Sequence, residues 1–234
     1  SVRDLAVWAM GAGALASIAG LVMFGRDGKM WTDAMLVAGA ALVRVVLPLL
    51  APEEPATLVA EAGQVDVLIA NLSIMAPSTP VEQVDEDEWS AVFNALVAPL
   101  PRLVRAVAPQ MIERRSGKIL IMGSASALRG MKRASTYSAA RGAQLAYVQA
   151  VGVELAPHNI QFNAIAQNFV ANPTYYGPEV QANPRFQERL KREVPLGRLV
   201  SAEEDAMFAA YLCSEAAACF VGQVFPVSGG WAGR

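Results

Sequence analysis

Three side chains in the middle of the chain are of the types that together can move a proton: Ser124, Tyr137 and Arg141. Tyr137 and Arg141 are four positions apart, so on a helix they share one face of one turn. An arginine at that spacing stabilises a phenolate, which lets the tyrosine act as a general base closer to neutral pH. A neighbouring serine hydroxyl can hold a substrate oxygen while the tyrosine removes its proton.

A strand and a helix are the elements that must position these residues. Residues 119–122 form an apolar run that is typical of a buried strand in a parallel sheet, and Ser124 follows the carboxyl end of that run. The alanine-rich spacing of residues 138–155 predicts a long helix packed on the sheet. A Tyr-x-x-x-Arg pair alone is usually an ordinary packing pair. The serine thirteen residues before Tyr137, at a strand end, favours the chemical interpretation.

The three residues, with twelve positions between Ser124 and Tyr137 and three between Tyr137 and Arg141, resemble the catalytic triad of the halohydrin dehalogenases. That family is similar in fold to the short-chain dehydrogenases/reductases, which carry Tyr-x-x-x-Lys with a lysine that also binds the nicotinamide ribose. The resemblance implies an α/β fold, a Rossmann-like doubly wound parallel sheet with helices on both faces. It also implies that residues 1–234 form a single domain.

The resemblance implies an activity as well. Ser124 would bind the hydroxyl of a vicinal halohydrin, Tyr137 would remove its proton, and Arg141 would keep Tyr137 anionic. The alkoxide would then displace the neighbouring halide and give an epoxide, and the reverse reaction would open epoxides with azide, cyanide or nitrite. Neither a cofactor nor a metal is needed for this reaction.

A loop after the predicted strand of residues 160–166 is the expected halide site. In such a sheet, ligands gather at the carboxyl ends of the strands, so this loop faces the same cleft as Ser124. The dehalogenases place their halide site here, and by position the site would consist of Gln167, Asn168, Phe169 and Val170. The backbone N–H groups of Phe169 and Val170 would form an anion nest. An ordinary exit from a strand into a loop is the alternative.

Three further residues are expected to line the substrate pocket. Met75 follows a predicted strand over residues 64–70, although a methionine there is more commonly part of the core. Tyr175 and Tyr176 lie in a loop that resembles the substrate loop of the family, although surface tyrosines are common in proline-rich loops. Small organic substrates and small anions are the expected partners.

Composition limits the other possibilities. The 234 residues, 54% of them hydrophobic, are enough for one α/β domain with a full core. A net charge of −2 gives no electrostatic footprint for nucleic acid, and His158, the single histidine, argues by count and place against histidine triads and multi-histidine metal sites. Cys213 and Cys219 fit neither a metal clip nor a redox pair, and we expect buried free thiols in a reducing, cytoplasmic compartment.

The first 25 residues allow two interpretations. Residues 5–25 carry no charge, as in a transmembrane helix, but they also divide into a strand (5–9), a Gly-Ala-Gly turn and a helix (15–24). The second interpretation is preferred. Gly11 and Gly13 lack the third glycine of the dinucleotide fingerprint, so pyrophosphate binding is disfavoured. The aromatic-and-glycine pattern that dehalogenases commonly carry here is not intact either.

A long helix is expected over residues 88–115, with a kink or break at Pro99 and Pro101. Leu96 stands where reductases carry an active-site asparagine. In this superfamily the equivalent helix and the helix of residues 138–155 commonly build a dimer seam, so the resemblance implies a homo-oligomer, expected to be a tetramer.

Three alternatives to the dehalogenase remain open at the level of sequence. The first alternative is a nicotinamide-dependent reductase with an atypical arginine. The second is a non-catalytic binding or scaffold member of the same fold, and the third is a membrane-anchored enzyme. The first requires residues around Gly11 to hold a pyrophosphate. The last depends only on residues 5–25.

Overall fold

The computed structural model describes residues 21–24, 54–172 and 175–233. Five parallel strands form one sheet in the order β1-β2-β3-β4-β5. The strands are β1 (Leu21–Phe24), β2 (Val67–Ala70), β3 (Gly117–Ser124), β4 (Ile160–Gln167) and β5 (Val224–Val227). The parallel sheet predicted from the sequence is confirmed.

Seven helices accompany these strands within the described residues. They are α1 (Glu54–Ala62), α2 (Glu86–Leu96), α3 (Pro99–Arg114), α4 (Ser135–Leu155), α5 (Pro178–Ala182), α6 (Pro184–Glu193) and α7 (Ala202–Leu212). A capping box begins α7: the Ser201 side chain accepts from the Glu204 N–H, and the Glu204 carboxylate accepts from the Ser201 N–H. Single 3-10 turns occupy Val81–Gln83, Ala125–Ala127, Ala156–His158, Glu215–Ala217 and Trp231–Gly233.

Helices cover both faces of the sheet, as the fold prediction requires. Successive strand residues point to opposite faces, so Ile119 and Ile121 of β3 join the core under α1 to α4. Leu120 and Met122 point the other way and pack in the core under α7. All eight residues of β3 are buried, which explains why residues 119–122 form a continuous apolar run rather than an alternating pattern.

The structure changes one predicted element and divides another at its predicted break. Residues 21–24 form β1, so the predicted helix over residues 15–24 is wrong at its end, because a short apolar run has no periodicity that separates strand from helix. The predicted strand over 5–9, the glycine turn and the ambiguous segment 29–50 lie outside the described residues. The expected long helix is two helices, α2 and α3. The chain leaves the helix at Val97 and Ala98, and Pro99 then takes a position at which its missing N–H costs nothing.

The 29-residue stretch Glu86–Arg114 is the one candidate membrane span among the described residues, by length and composition only. Its two helices bury Val92, Leu96, Leu100 and Leu103 in the core. Burial of these side chains is typical of two helices that pack on the core of a folded domain. The membrane interpretation of the sequence concerned a different stretch, residues 5–25, of which only the strand β1 is described.

A glycine pair sets the distance between α4 and the segment before β5. A Cβ built on Gly152 would lie 2.6 Å from the Cα of Gly222, and Gly222 itself has a φ of +64°. The Gly222 N–H donates to the Phe162 carbonyl at 2.9 Å. The helix therefore packs directly on the backbone next to the sheet.

The two cysteines are both free, as expected, but their predicted burial is only partly correct. Cys213 is half-buried, at the end of α7, whereas Cys219 is exposed. Cys219 lies two residues after the 3-10 turn Glu215–Ala217, outside the helices and strands of the core.

Candidate active site

The predicted catalytic serine and the predicted anion loop lie at neighbouring strand ends. Ser124 ends β3 and Gln167 ends β4, and the two residues are paired in the register of the parallel sheet. Neighbouring strands are about 4.8 Å apart. The hydroxyl that would hold a substrate therefore lies one strand away from the loop that would receive an anion, at the edge of the sheet where α/β proteins bind ligands.

A second serine holds the hydroxyl of Ser124 in place. Ser126 Oγ lies 3.0 Å from Ser124 Oγ, and the backbone N–H of Ser126 donates to the same oxygen at 3.2 Å. Both serines are buried. The sequence interpretation missed Ser126, and its only signal was a second hydroxyl two positions after the first.

Tyr137 and Arg141 occupy the first two turns of α4. The helix begins at Ser135, three residues earlier than predicted, so both residues are fully inside it. The guanidinium carbon of Arg141 lies 5.0 Å from the centroid of the Tyr137 ring. Both side chains are buried, with 8% of Tyr137 and 5% of Arg141 exposed.

Hydrogen bonds hold the guanidinium of Arg141 toward the interior. Its Nη1 donates to Gln144 Oε1 at 2.9 Å and to the Met122 carbonyl at 3.3 Å. Gln144, which is fully buried, in turn donates through Nε2 to the carbonyl of Leu96 at 2.6 Å. Leu96 stands where reductases carry an active-site asparagine, and here it contributes its backbone carbonyl to the site. The sequence interpretation missed Gln144, although its position three residues after Arg141 places it on the same face of α4.

The charge of Arg141 has no carboxylate partner among the described residues. The five ion pairs in this part of the chain involve other residues, and the Nε of Arg141 is buried without an acceptor. Burial of an unpaired cation is costly, so a negative charge that forms beside it is strongly stabilised. Tyr137 is the ionisable group whose ring the guanidinium contacts.

The loop of the predicted halide site is fixed by its own backbone. The Asn168 N–H donates to Val227 O at 3.0 Å, and the Val200 N–H donates to Phe169 O at 2.9 Å. The Phe169 N–H donates to the side-chain oxygen of Asn168 at 2.9 Å. The Val170 N–H has no acceptor among the described residues, so of the two predicted amide donors it is the one available to a ligand.

Aromatic rings surround this loop. Phe169 takes the left-handed backbone conformation, with a φ of 52°, which is rare for an aromatic residue and marks a constrained position. Its ring stacks on Tyr176 at 5.9 Å and meets Trp231 at 6.1 Å between centroids. Arg189 lies over Phe169 at 5.5 Å and Arg129 over Trp231 at 4.7 Å. The sequence interpretation gave no role to Trp231 or to either arginine.

The predicted pocket residues come from two different loops that meet. The Tyr175 hydroxyl donates to the carbonyl of Ile74 at 3.0 Å, which joins the loop after β4 to the loop after β2. The Tyr176 hydroxyl donates to Asn168 Oδ1 at 3.4 Å. Met75, next to Ile74, is 56% exposed, so it is not a core methionine. The structure brings Tyr175 and Tyr176 to the site and leaves Met75 on its rim.

The two pocket tyrosines are harder to ionise than free tyrosine. Burial raises the pKa of Tyr175, the neighbouring Tyr137 raises it further, and Arg141 opposes the change. Burial also raises the pKa of Tyr176, with Arg189 opposing. These two phenols therefore remain neutral hydrogen-bond donors at neutral pH.

A buried carboxyl group stands behind the anion loop. Asp205, in the first turn of α7, is fully buried, and its Oδ2 accepts a short hydrogen bond from Nε2 of Gln167. Its Oδ1 is buried without a partner among the described residues. Burial raises the pKa of Asp205 to about 7, and the hydrogen bond from Gln167 opposes that shift. The sequence interpretation missed this residue.

The fold and the matches that follow define a class: the chain belongs to the short-chain dehydrogenase/reductase family. The family model described as Enoyl-(Acyl carrier protein) reductase matches residues 55–232. Over 177 residues the chain is 33% identical to a 3-oxoacyl-[acyl-carrier-protein] reductase of Chlamydia muridarum, and the match covers 74% of this chain and 68% of that protein.

Two similar solved structures are dehalogenases. One, described as a dehalogenation enzyme, has a TM-score of 0.84 at 28% identity and covers 91% of this chain and 97% of its own. The other is a halohydrin dehalogenase bound to ethyl (2S)-oxiran-2-ylacetate, with a TM-score of 0.82 at 26% identity, covering 90% and 96%. The family resemblance inferred from sequence is thus confirmed at the level of the short-chain dehydrogenase/reductase family.

The described part of this site departs at one residue from the family's reductases, which use a nicotinamide cofactor. In place of the lysine that contacts the ribose stands Arg141, which is 5% exposed and whose Nη1 is bonded inward to Gln144 and Met122. Among the described residues there is also no group of three or more His, Cys, Asp or Glu side chains placed to hold a metal ion. The glycine-containing stretch around Gly11 lies outside the described residues.

Proposed function

We propose that this protein is a halohydrin dehalogenase, which converts vicinal halohydrins to epoxides without a cofactor. The same site would open epoxides with small anions such as azide, cyanide or nitrite. The observation that carries the proposal is the buried guanidinium of Arg141, which contacts the ring of Tyr137 and has no carboxylate partner in the described part of the chain.

The reaction needs one base and one group that accepts a leaving anion. Ser124 holds the substrate hydroxyl, and the Tyr137 phenolate removes its proton. The alkoxide oxygen then attacks the neighbouring carbon, and the carbon–halogen bond breaks with its electron pair leaving on the halide. The products are the epoxide, a halide ion and a neutral Tyr137, which returns its proton to solvent.

Arg141 supports this chemistry better than it supports hydride transfer. A guanidinium keeps its charge across the pH range in which proteins are folded, and its central carbon lies 5.0 Å from the centroid of the Tyr137 ring. It is therefore placed to stabilise negative charge that develops on Tyr137 during the reaction. Its Nη1 is already used by Gln144 and Met122 and is not free for a ribose.

The halide would be received by residues 167–170. Ser124 and Gln167 are register partners, so the hydroxyl and the halogen of a vicinal pair can reach the two strand ends at once. The Val170 N–H is the proposed donor to the halide, and the electropositive edges of the rings of Phe169, Tyr176 and Trp231 are the proposed walls. Met75 and Tyr175 would enclose the organic part of the substrate.

We also propose a homotetramer assembled through α3 and α4. The support is the family resemblance, in which the equivalent helices commonly build a dimer seam, and Val153 on α4, which is 69% exposed, is an apolar side chain that such a seam would cover. Sedimentation of the purified protein tests this proposal, because a monomer at micromolar concentration would contradict it.

A nicotinamide-dependent reductase is the second candidate. It is favoured by the sequence relatives, since the similar Chlamydia muridarum protein is a 3-oxoacyl-[acyl-carrier-protein] reductase and the matching family model is that of a reductase. In this reaction Tyr137 would supply a proton to a carbonyl rather than take one from a hydroxyl.

One experiment separates the two candidates. Purified protein is mixed with several vicinal bromohydrins without any nicotinamide, and release of bromide and acid is followed. We expect turnover that is lost in Tyr137→Phe and kept in Tyr147→Phe, which removes a phenol hydroxyl from the same helix outside the site. Absence of bromide release from every substrate, together with saturable binding of a reduced nicotinamide cofactor, would establish the reductase instead.

A further inference from the structure

Asp205 is a buried ionisable group that the proposed reaction does not use. It lies in α7 on the face of the sheet opposite the one covered by Tyr137, in the apolar core that contains Leu120, Met122, Ile165 and Ala206. One of its oxygens accepts from Gln167, and the other is buried without a partner among the described residues. An apolar core is a costly place for a carboxylate, so the residue needs an explanation.

Among the described residues, no charged group compensates Asp205 from an element packed against it. On α7 itself, Glu203, Glu204 and Tyr211 are exposed, and Glu204 pairs with Arg198. The strands β4 and β5 contain no titratable residue. Lys118 of β3 is at the opposite end of its strand, next to Gln161 and Glu215. Within the part of the chain that the structure describes, Gln167 is therefore the one side chain that holds the ionised form of Asp205.

Gln167 connects this carboxyl group to the anion loop. Its side chain donates to Asp205 on one side of the sheet edge, and its backbone begins the loop of residues 167–170 on the other. A negative charge on Asp205 is thus one side chain away from the place proposed for the halide. Through the poorly screened protein interior, that charge repels a bound anion.

We infer that Asp205 is a positioning residue that controls anion affinity: its neutral form lets the loop of residues 167–170 bind a halide, and its ionised form expels it. The inference rests on the proposed function, and it states which direction of the reversible reaction each protonation state of Asp205 favours. Release of halide is favoured when Asp205 is ionised, and opening of an epoxide by an anion is favoured when it is protonated. The pKa of about 7 places this change near neutral pH.

The test measures binding of bromide at equilibrium, not turnover. Bromide is titrated against the purified protein by calorimetry at several pH values between about pH 5.5 and 8.5. The titration uses the Tyr137→Phe background, so that ionisation of that phenol does not contribute. We expect the bromide dissociation constant to rise on the order of tenfold across this range, because a unit charge forms close to the anion. When Asp205→Asn is added to the Tyr137→Phe protein, the bromide dissociation constant should stay near the value that the Tyr137→Phe protein has at low pH.

Two further variants keep the inference testable. Gln167→Met removes the hydrogen bond that favours the carboxylate, so the pH midpoint of the change in affinity should move upward, even if Asp205→Asn does not fold. Glu203→Gln removes an exposed carboxylate from the same turn of α7 and should leave the pH dependence unchanged.

The outcomes separate this inference from the proposed function. Saturable bromide binding with the same pH dependence in Asp205→Asn, or with an unmoved midpoint in Gln167→Met, overturns the role of Asp205 and leaves the dehalogenase proposal standing. No saturable bromide binding at any pH, in any of the variants, overturns both.

Discussion

The guanidinium of Arg141 and the side-chain amide of Gln144 form a hydrogen bond of 2.9 Å in the buried centre of the site. The same amide donates to the carbonyl of Leu96, the last residue of α2, at 2.6 Å. The cation beside Tyr137 is therefore fixed by a neutral group and not by a carboxylate. This keeps its charge available to the phenolate, since an ion pair would have neutralised most of it.

A charge placed at Gln144 should slow the reaction. Gln144→Glu keeps the size of the side chain and the acceptor for Arg141, but it neutralises the guanidinium and loses the amide donor to the Leu96 carbonyl. The guanidinium then stabilises negative charge on Tyr137 less well during the reaction, and bromide release should slow by about tenfold or more. Steady-state bromide release from the variant and the parent protein tests this.

Gln144→Met is the control for that experiment, because it removes the hydrogen bonds without adding a charge. It should lower turnover through looser placement of Arg141, but by less than Gln144→Glu. Equal losses of turnover in the two variants would mean that Gln144 acts only through packing and hydrogen bonding.

Ser126 should contribute to catalysis through Ser124. Removal of its hydroxyl in Ser126→Ala takes away the 3.0 Å contact that orients the Ser124 hydroxyl. We expect kcat/KM for bromohydrins to fall about threefold to tenfold, the range of one neutral hydrogen bond of about 1 kcal/mol. Ser138→Ala is the matched control, because the Ser138 hydroxyl has no partner among the described residues. A decrease as large in Ser138→Ala as in Ser126→Ala would count against this role.

Asp205 should make the protein less stable as pH rises. Its pKa is raised from 3.8 to about 7 in the folded state, so between those values the folded chain keeps a proton that the unfolded chain releases. The free energy of unfolding therefore falls through this window and reaches its low value above about pH 7. The upper limit of the effect is about 4 kcal/mol, from about 1.4 kcal/mol per pKa unit.

Asp205→Asn lacks this titration. Denaturant unfolding of both proteins at several pH values should show the variant gaining stability relative to the parent protein from pH 4 to pH 7. A difference between the two proteins that stays constant over this range would show that the carboxyl group is ionised in the folded state throughout.

Two glycines of α4 should respond in opposite directions to alanine. Gly152→Ala brings a methyl group to 2.6 Å from the Cα of Gly222, backbone that cannot move away easily, so we expect a loss of about 1–3 kcal/mol in the free energy of unfolding. A Cβ added at Gly142 would have nothing within 4 Å, and Gly142→Ala should gain about 0.5–1 kcal/mol from helix propensity. Thermal unfolding of the two variants measures this, and destabilisation of both would point to a contact with another chain at Gly142.

Local patterns were sufficient for much of the site. The spacing of Tyr137 and Arg141 places them on one helix face in any fold, and the apolar run before Ser124 is a buried strand in the structure as well. The capping box of α7 and the break before Pro99 also followed from residues close together in sequence. Each of these depends on interactions within one turn, one strand or one helix end.

Other features depend on residues far apart in the chain, and only the tertiary structure decided them. The sequence does not reveal that Gln167 and Asp205, 38 positions apart, share a hydrogen bond, or that Gln144 reaches Leu96 across 48 positions. The same holds for the strand at residues 21–24, which is a strand because it pairs with β2 and not because its own sequence excludes a helix. Short-range periodicity reports which face of an element is buried, but the identity of the neighbour on that face is set by how the whole sheet and its helices pack.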